Sequence, residues 1–120
     1  MPSPEAIEAF ARLVEEGKTV EAMERFYAEN ASMQENMASP RVGKKALIRH
    51  EEDALASISQ LKATCIRPVF VSGNLAVIRW VFEIHDKAGK DMKFEELAYQ
   101  RWEDNLIVEE QFFYDPGQFK

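Results

Sequence analysis

Three glutamates fall where a half-buried strand would normally carry an apolar side chain. Glu35 shares an alternating face with Ala31, Met33 and Met37, Glu96 with Met92, Phe94, Ala98, Gln100 and Trp102, and Glu110 with Leu106, Val108, Phe112 and Tyr114. A carboxyl held among apolar neighbours resists ionising, so its pKa climbs towards neutrality, the property a general acid or base needs. For Glu35 two readings stand side by side: a strand-end glutamate reaching water, or a carboxyl on a cavity wall. Glu96 and Glu110 depend on register, because a one-residue slip or a bulge turns either to the opposite face. Trp80 and Trp102 suit core or cavity wall, and Tyr114 could offer its hydroxyl to a cavity or simply reach solvent at the rim.

Other chemistries lack their residues. His50, His85 and Cys65 are too scattered for a zinc site and no Ser or Cys nucleophile signature occurs; three glutamates in one cavity could bind a cation, but such acids are more often spread around the wall. "GKT" at 17–19 imitates the end of a phosphate-binding loop, but the earlier glycine that loop requires is Arg12 and a helix precedes it. Neither metal nor cofactor is expected.

The elements that must hold these side chains read in two blocks. Ser3, Pro4 and Glu5 open a helix as N-cap, first-turn proline and dipole-facing acid; Ile7, Phe10, Ala11 and Val14 form its stripe and Gly17 ends it. Thr19 suits the cap of a second helix over 19–30, with Val20, Met23, Phe26 and Tyr27 at helical spacing. An extended piece follows over 31–37, then a loop with Pro40 and Gly43, and a third helix over 44–58 with Leu47, Glu51, Ala54, Leu55 and Ile58 along one side. From there the pattern predicts four strands, 62–71, 75–85, 91–102 and 106–114, joined by the short connections "SGN", "DKAG" and "EDN" into an antiparallel meander. Helices first and strands afterwards imply an α+β class with the helices on one sheet face.

The length of 120 residues fits a single domain over 1–120, with enough apolar content (46%) for one core. Fifteen basic against twenty-one acidic residues, a net charge of −6, argue against nucleic acid. The apolar runs are too short to span a membrane. A lone cysteine and no signal-like start predict a reducing, cytoplasmic setting.

The passage "VEAMERFYAENASMQEN", the glycine before the third helix at Gly43, and the closing "RWEDNLIVEEQFFYDP" resemble the nuclear transport factor 2-like superfamily, and within it the SnoaL-like and ketosteroid-isomerase-like proteins. The resemblance covers nearly the whole chain. It implies a cone-shaped, cystatin-like fold, three N-terminal helices packed on a curved antiparallel sheet with a pocket inside. In isomerase-like members a carboxylate just after the second helix is the proton-shuttling base, and that position falls on Glu35, where the family usually has Asp. The oxyanion-binding acid of the third long strand falls at Ala98, and the tyrosine of the first helix near Phe10 or Ala11. Neither donor is present, so ketosteroid isomerisation itself is not expected.

The expectation is therefore a SnoaL-like protein that binds a small, largely apolar molecule, with Glu35 catalytic in cofactor-independent acid–base chemistry of isomerase, cyclase or dehydratase type. Trp80, Glu96, Gln100, Trp102, Glu110, Phe112 and Tyr114 are its expected ligand contacts. The alternative is a non-catalytic binding or scaffold module of the same fold. Val77, Val81, Leu97, Tyr99 and Phe113 fall on the face away from the helices, among arginines and glutamates, and predict a homodimer through that face with arginines meeting glutamates of the other chain.

Overall fold

The structure, a computed structural model, describes residues 2–119. Its first helix, α1 (Pro4–Glu15), starts as its sequence demands: the Ser3 hydroxyl accepts the Ala6 N–H at 3.1 Å. Gly17 ends it with φ +81°, and the Lys18 N–H then returns to the Leu13 carbonyl at 2.8 Å. α2 (Thr19–Phe26) follows at once. Thr19 is its first helical residue rather than its cap; Lys18 holds the cap position and no side chain caps it.

α2 stops four residues short of the sequence expectation, and the strand β1 (Tyr27–Glu35) takes over. The reason is long-range: Tyr27 pairs with Ile107, and residues 32 to 35 pair with 109 to 112. The strand ends at Asn36, whose φ of +48° turns the chain, so Met37 lies past the strand and is 77% exposed instead of sharing the inner face. A two-residue strand, β2 (Arg41–Val42), forms in what reads as loop and pairs with β1 at Ser32 and Met33. α3 (Lys44–Ala56) then leads into β3 (Ile58–Ser72), β4 (Leu75–Asp86), β5 (Asp91–Glu103) and β6 (Leu106–Phe113). β3 begins four residues earlier than the pattern suggests.

The six strands form one open curved sheet in the order β2-β1-β6-β5-β4-β3. The meander β3 to β6 is antiparallel as expected; β1 is the exception, since it runs parallel to β6. The register sets Trp80 opposite Glu96, Ile78 opposite Ala98, Ala76 opposite Gln100, and Gln100 opposite Glu110. Between the pairs Arg101–Glu109 and Trp102–Ile107 the register shifts, so β6 carries one extra residue. That bulge corrects the alternation: Ile107 is the fully buried residue there, while Leu106 is exposed and Val108 only half-buried.

The core lies between the helices and this face. Phe10, Phe26 and Trp102 meet edge-on at ring separations of 6.0 to 6.3 Å, over Ile78 and Ile107. Each such buried side chain contributes roughly 1.5–3 kcal/mol. On the opposite face the arginines are already paired within the chain, Arg79 with Glu95 at 3.0 Å and Arg101 with Glu109 at 2.9 Å, not left for another copy.

Candidate functional site

Along β4 the inner row passes from fully buried Ala76, Ile78 and Trp80 to half-buried Phe82 and Ile84. The change marks where the helices stop filling the sheet. A cavity of about 230 Å³ opens there, floored by β4, β5 and β6 and roofed by α3. Its wall is largely aromatic: Trp80 stacks on Phe82 at 5.8 Å and Phe82 on Phe94 at 5.1 Å, with Phe112 and Phe10 alongside.

Four glutamates reach this apolar space, and each meets a different environment. Glu35, at the end of β1, is the most open: its side chain is 42% exposed, with Arg41 Nη1 3.8 Å from Oε2. It therefore combines both sequence readings, since it lines the cavity and also meets solvent. Glu96, in the middle of β5, has no hydrogen bond or ion pair among the described residues. Burial first, then repulsion from Glu110, Glu35 and Glu51, pushes its pKa up to about 8. Glu51 enters from α3 and is likewise raised, chiefly by burial; neighbouring His50 opposes the rise and Glu35 adds to it.

Glu110 is the deepest, 3% exposed. Burial raises its pKa, and two hydrogen bonds hold it back: Oε2 accepts from Gln100 Nε2 at 2.6 Å, and Oε1 is hydrogen-bonded to the Tyr27 hydroxyl. Gln100 Oε1 in turn accepts the Trp102 indole N–H at 3.0 Å. Tyr27, 4% exposed, has its phenol driven well above its ordinary value by burial and by Glu110. Every fully buried side-chain polar atom among the described residues has a partner.

The residues expected from sequence thus separate into three groups. Glu35, Trp80, Glu96, Glu110 and Phe112 line the cavity. Gln100 and Trp102 lie behind it, fully buried, as support for Glu110. Tyr114 stands just past β6, outside the lining; burial and then Glu35 and Glu96 raise its hydroxyl. Tyr27 and Glu51 were not singled out. Tyr27 hides because its spacing continues the α2 stripe. Glu51 carries a legible signal, an acid within the apolar stripe of Leu47, Ala54 and Leu55. Among the described residues no three His, Cys, Asp or Glu side chains come together as a metal would need.

A family model described as a SnoaL-like domain matches residues 7–110. None of the curated proteins is a match. Among solved structures, one from Mesorhizobium loti named both as a SnoaL-like polyketide cyclase and as a carbohydrate phosphatase is 22% identical, covers 95% of this chain and 100% of its own, and superposes with a TM-score of 0.80. An NTF2-like protein of unknown function from Burkholderia pseudomallei is 10% identical, with 96% and 92% coverage and a TM-score of 0.82. A protein of ketosteroid isomerase-like fold from Catenulispora acidiphila, in complex with trimethylamine, is 17% identical, with 97% and 89% coverage and a TM-score of 0.80. At these identities the likeness speaks to the fold.

Proposed function

Because the chain belongs to the SnoaL-like domain family, we propose that its cavity takes a compact, largely apolar carbonyl compound and moves a proton on it without a cofactor. One observation carries this reading: Glu96 stands unpaired on an aromatic wall with a pKa of about 8. A carboxylate with that pKa is a far stronger base than one in water, yet about half of it is ionised at pH 8, the compromise that favours general-base catalysis. Glu96 takes a proton from carbon next to the carbonyl. Glu35, at the mouth beside Arg41, exchanges that proton with water. The polyketide cyclase name of the Mesorhizobium loti structure agrees with such chemistry, since ring closure on a polyketide begins with carbon deprotonation.

The test needs no natural substrate. Cyclohexanone and cyclic 1,3-diketones in D2O should exchange their α-hydrogens faster with the protein than in buffer, with a rate that rises through about pH 8 as Glu96 ionises. Glu96→Gln should lower the rate by about 10²-fold or more. Exchange no faster than buffer across the panel defeats the catalytic reading and leaves a binding module.

The same reading includes a second copy of the chain on the outer sheet face. Leu97, Tyr99 and Phe113 are 44%, 40% and 38% exposed there, side by side across β5 and β6. The in-chain pairing of Arg79 and Arg101 lowers the cost of covering them, because no unpaired charge has to be dehydrated.

A further inference from the structure

A base that removes a proton from carbon leaves negative charge on the carbonyl oxygen, and that oxygen needs a donor. The positions where the resemblance would put one hold Ala98 and Phe10, which have none to give. The buried chain behind the cavity supplies one from elsewhere, and its direction follows from a single residue. An indole N–H is a donor only, so Trp102 fixes Gln100 with its carbonyl towards the indole and its NH2 towards Glu110. Glu110 Oε2 is therefore an acceptor, and any proton on this carboxyl sits on Oε1, against the Tyr27 oxygen.

Whether Glu110 holds that proton is decided by its surroundings. The groups that face it are Gln100 from β5, Tyr27 from β1, Glu51 from α3 and Glu96 from β5, and no cation among the described residues pairs with it. A buried carboxyl without a cation keeps its proton. With the proton on Oε1, Glu110 donates to Tyr27 and the tyrosine's own O–H is released for another acceptor; both residues line the cavity.

The geometry points to a relay in which Glu110 holds the proton and Tyr27 hands it to an oxygen of the bound molecule, with Gln100 and Trp102 as positioning residues; it rests on the acid–base reading of the cavity. The step balances. The Tyr27 O–H bond breaks as the substrate O–H bond forms, the Glu110 Oε1–H bond breaks as the Tyr27 O–H bond is remade, and Glu110 is left a carboxylate accepting from both Tyr27 and Gln100. Glu96 has meanwhile taken one proton from carbon, so the protein's total is unchanged. The substrate this fits carries a carbonyl oxygen at its deep end and apolar bulk against the stacked rings.

Infrared spectroscopy with carbonyl-labelled cyclohexanone tests the relay. The bound ketone's C=O stretch should move to lower frequency in the wild type, lose that shift in Tyr27→Phe, and keep part of it in Trp102→Phe, where Gln100 is free to turn. A stretch identical in wild type and Tyr27→Phe overturns the relay and leaves the cavity reading intact; a ketone that does not bind overturns both. A second arm needs no ligand. At pH 7 the protonated-carboxyl absorption of Glu96→Gln should lose the component of one carboxyl in the double variant Glu96→Gln, Glu110→Gln, whatever Glu51 contributes to both, and a difference spectrum without that component means Glu110 has no proton to give. In the exchange assay Tyr27→Phe and Glu110→Gln should each lower kcat by about 10²-fold, with ketone KM within about threefold; loss confined to KM overturns the relay.

Discussion

Arg67 of β3 grips Glu15 at the end of α1, Nη2 to Oε1 at 3.0 Å, while the other oxygen of Glu15 accepts the Cys65 N–H at 3.0 Å. One carboxylate thus ties the first helix to the backbone and the side chain of the far edge strand. Burial alone would raise its pKa, but the Arg67 and Cys65 hydrogen bonds together outweigh it and the net shift is downwards. Glu15→Ala leaves the Cys65 N–H without its acceptor and should cost about 1–2 kcal/mol, measured by denaturant unfolding. Because the folded-state pKa is depressed, the contribution is present above the ordinary carboxyl value and fades as pH falls through the folded one. The gap between wild type and Glu15→Gln should therefore close on acidification below about pH 4.

Asn36 fastens the end of β1 to β6 with three bonds from a left-handed backbone. Its N–H donates to the Phe112 carbonyl at 2.7 Å, its carbonyl accepts from Gln111 Nε2 at 2.8 Å, and its Oδ1 accepts the Tyr114 N–H at 3.0 Å. Asn36→Ala adds a strained φ to a lost acceptor and should destabilise by about 2 kcal/mol. Asn36→Gly relieves the strain and should recover about half of that. Equal losses in urea melts would mean the backbone conformation contributes nothing.

The cavity acids should weaken the fold as pH rises. Glu96 carries a raised folded-state pKa of about 8, so between its unfolded value and about pH 8 the native state binds more protons than the unfolded one and stability declines. Glu51 and Glu110 are displaced in the same direction. Glu96→Gln cannot ionise, so it should gain on the order of 4 kcal/mol relative to wild type between pH 5 and pH 9, at about 1.4 kcal/mol for each pH unit up to pH 8. Melting curves at the two pH values read this directly, and a wild-type-minus-variant difference that does not change with pH would place the Glu96 carboxyl in water.

What the sequence made legible was decided locally, and what it hid was decided by partners far along the chain. The inner row of β4 and the inward turn of Glu96 follow from period-two alternation inside single strands, which needs no knowledge of neighbours. For Glu110 alternation left the face open to a slip or bulge; it lines the cavity, while the bulge beside it moves Leu106 and Val108 off that face. Tyr27 could not be placed. Its helical spacing from Met23 and Val20 is genuine, and only pairing with β6, 80 residues on, turns it into the first residue of a strand. The donor chain from Trp102 to Tyr27 shares this property, since it crosses β5, β6 and β1 and no window of sequence contains it. Three of the four glutamates around the cavity were read as acids on apolar faces and Glu51 was passed over in its helical stripe; the order of their depths was not legible.

Assembly gives the last prediction. Tyr99 and Phe113 flank Leu97 on the outer face, and Leu97 and Phe113 are directly opposed across β5 and β6. A second copy seated there would bury these side chains without opening the Arg79–Glu95 or Arg101–Glu109 pairs, which lie within the same chain. Light scattering at micromolar concentration should then report twice the chain mass. Tyr99→Glu puts a lone carboxylate into the contact and should shift the species to the monomer, with the melting curve of the monomer little changed because Tyr99 supports no core residue. Doubling the mass should also make the wild-type melting temperature rise with protein concentration, a dependence the variant should lack. A wild-type protein of single mass whose melting temperature ignores concentration would return these residues to ordinary surface.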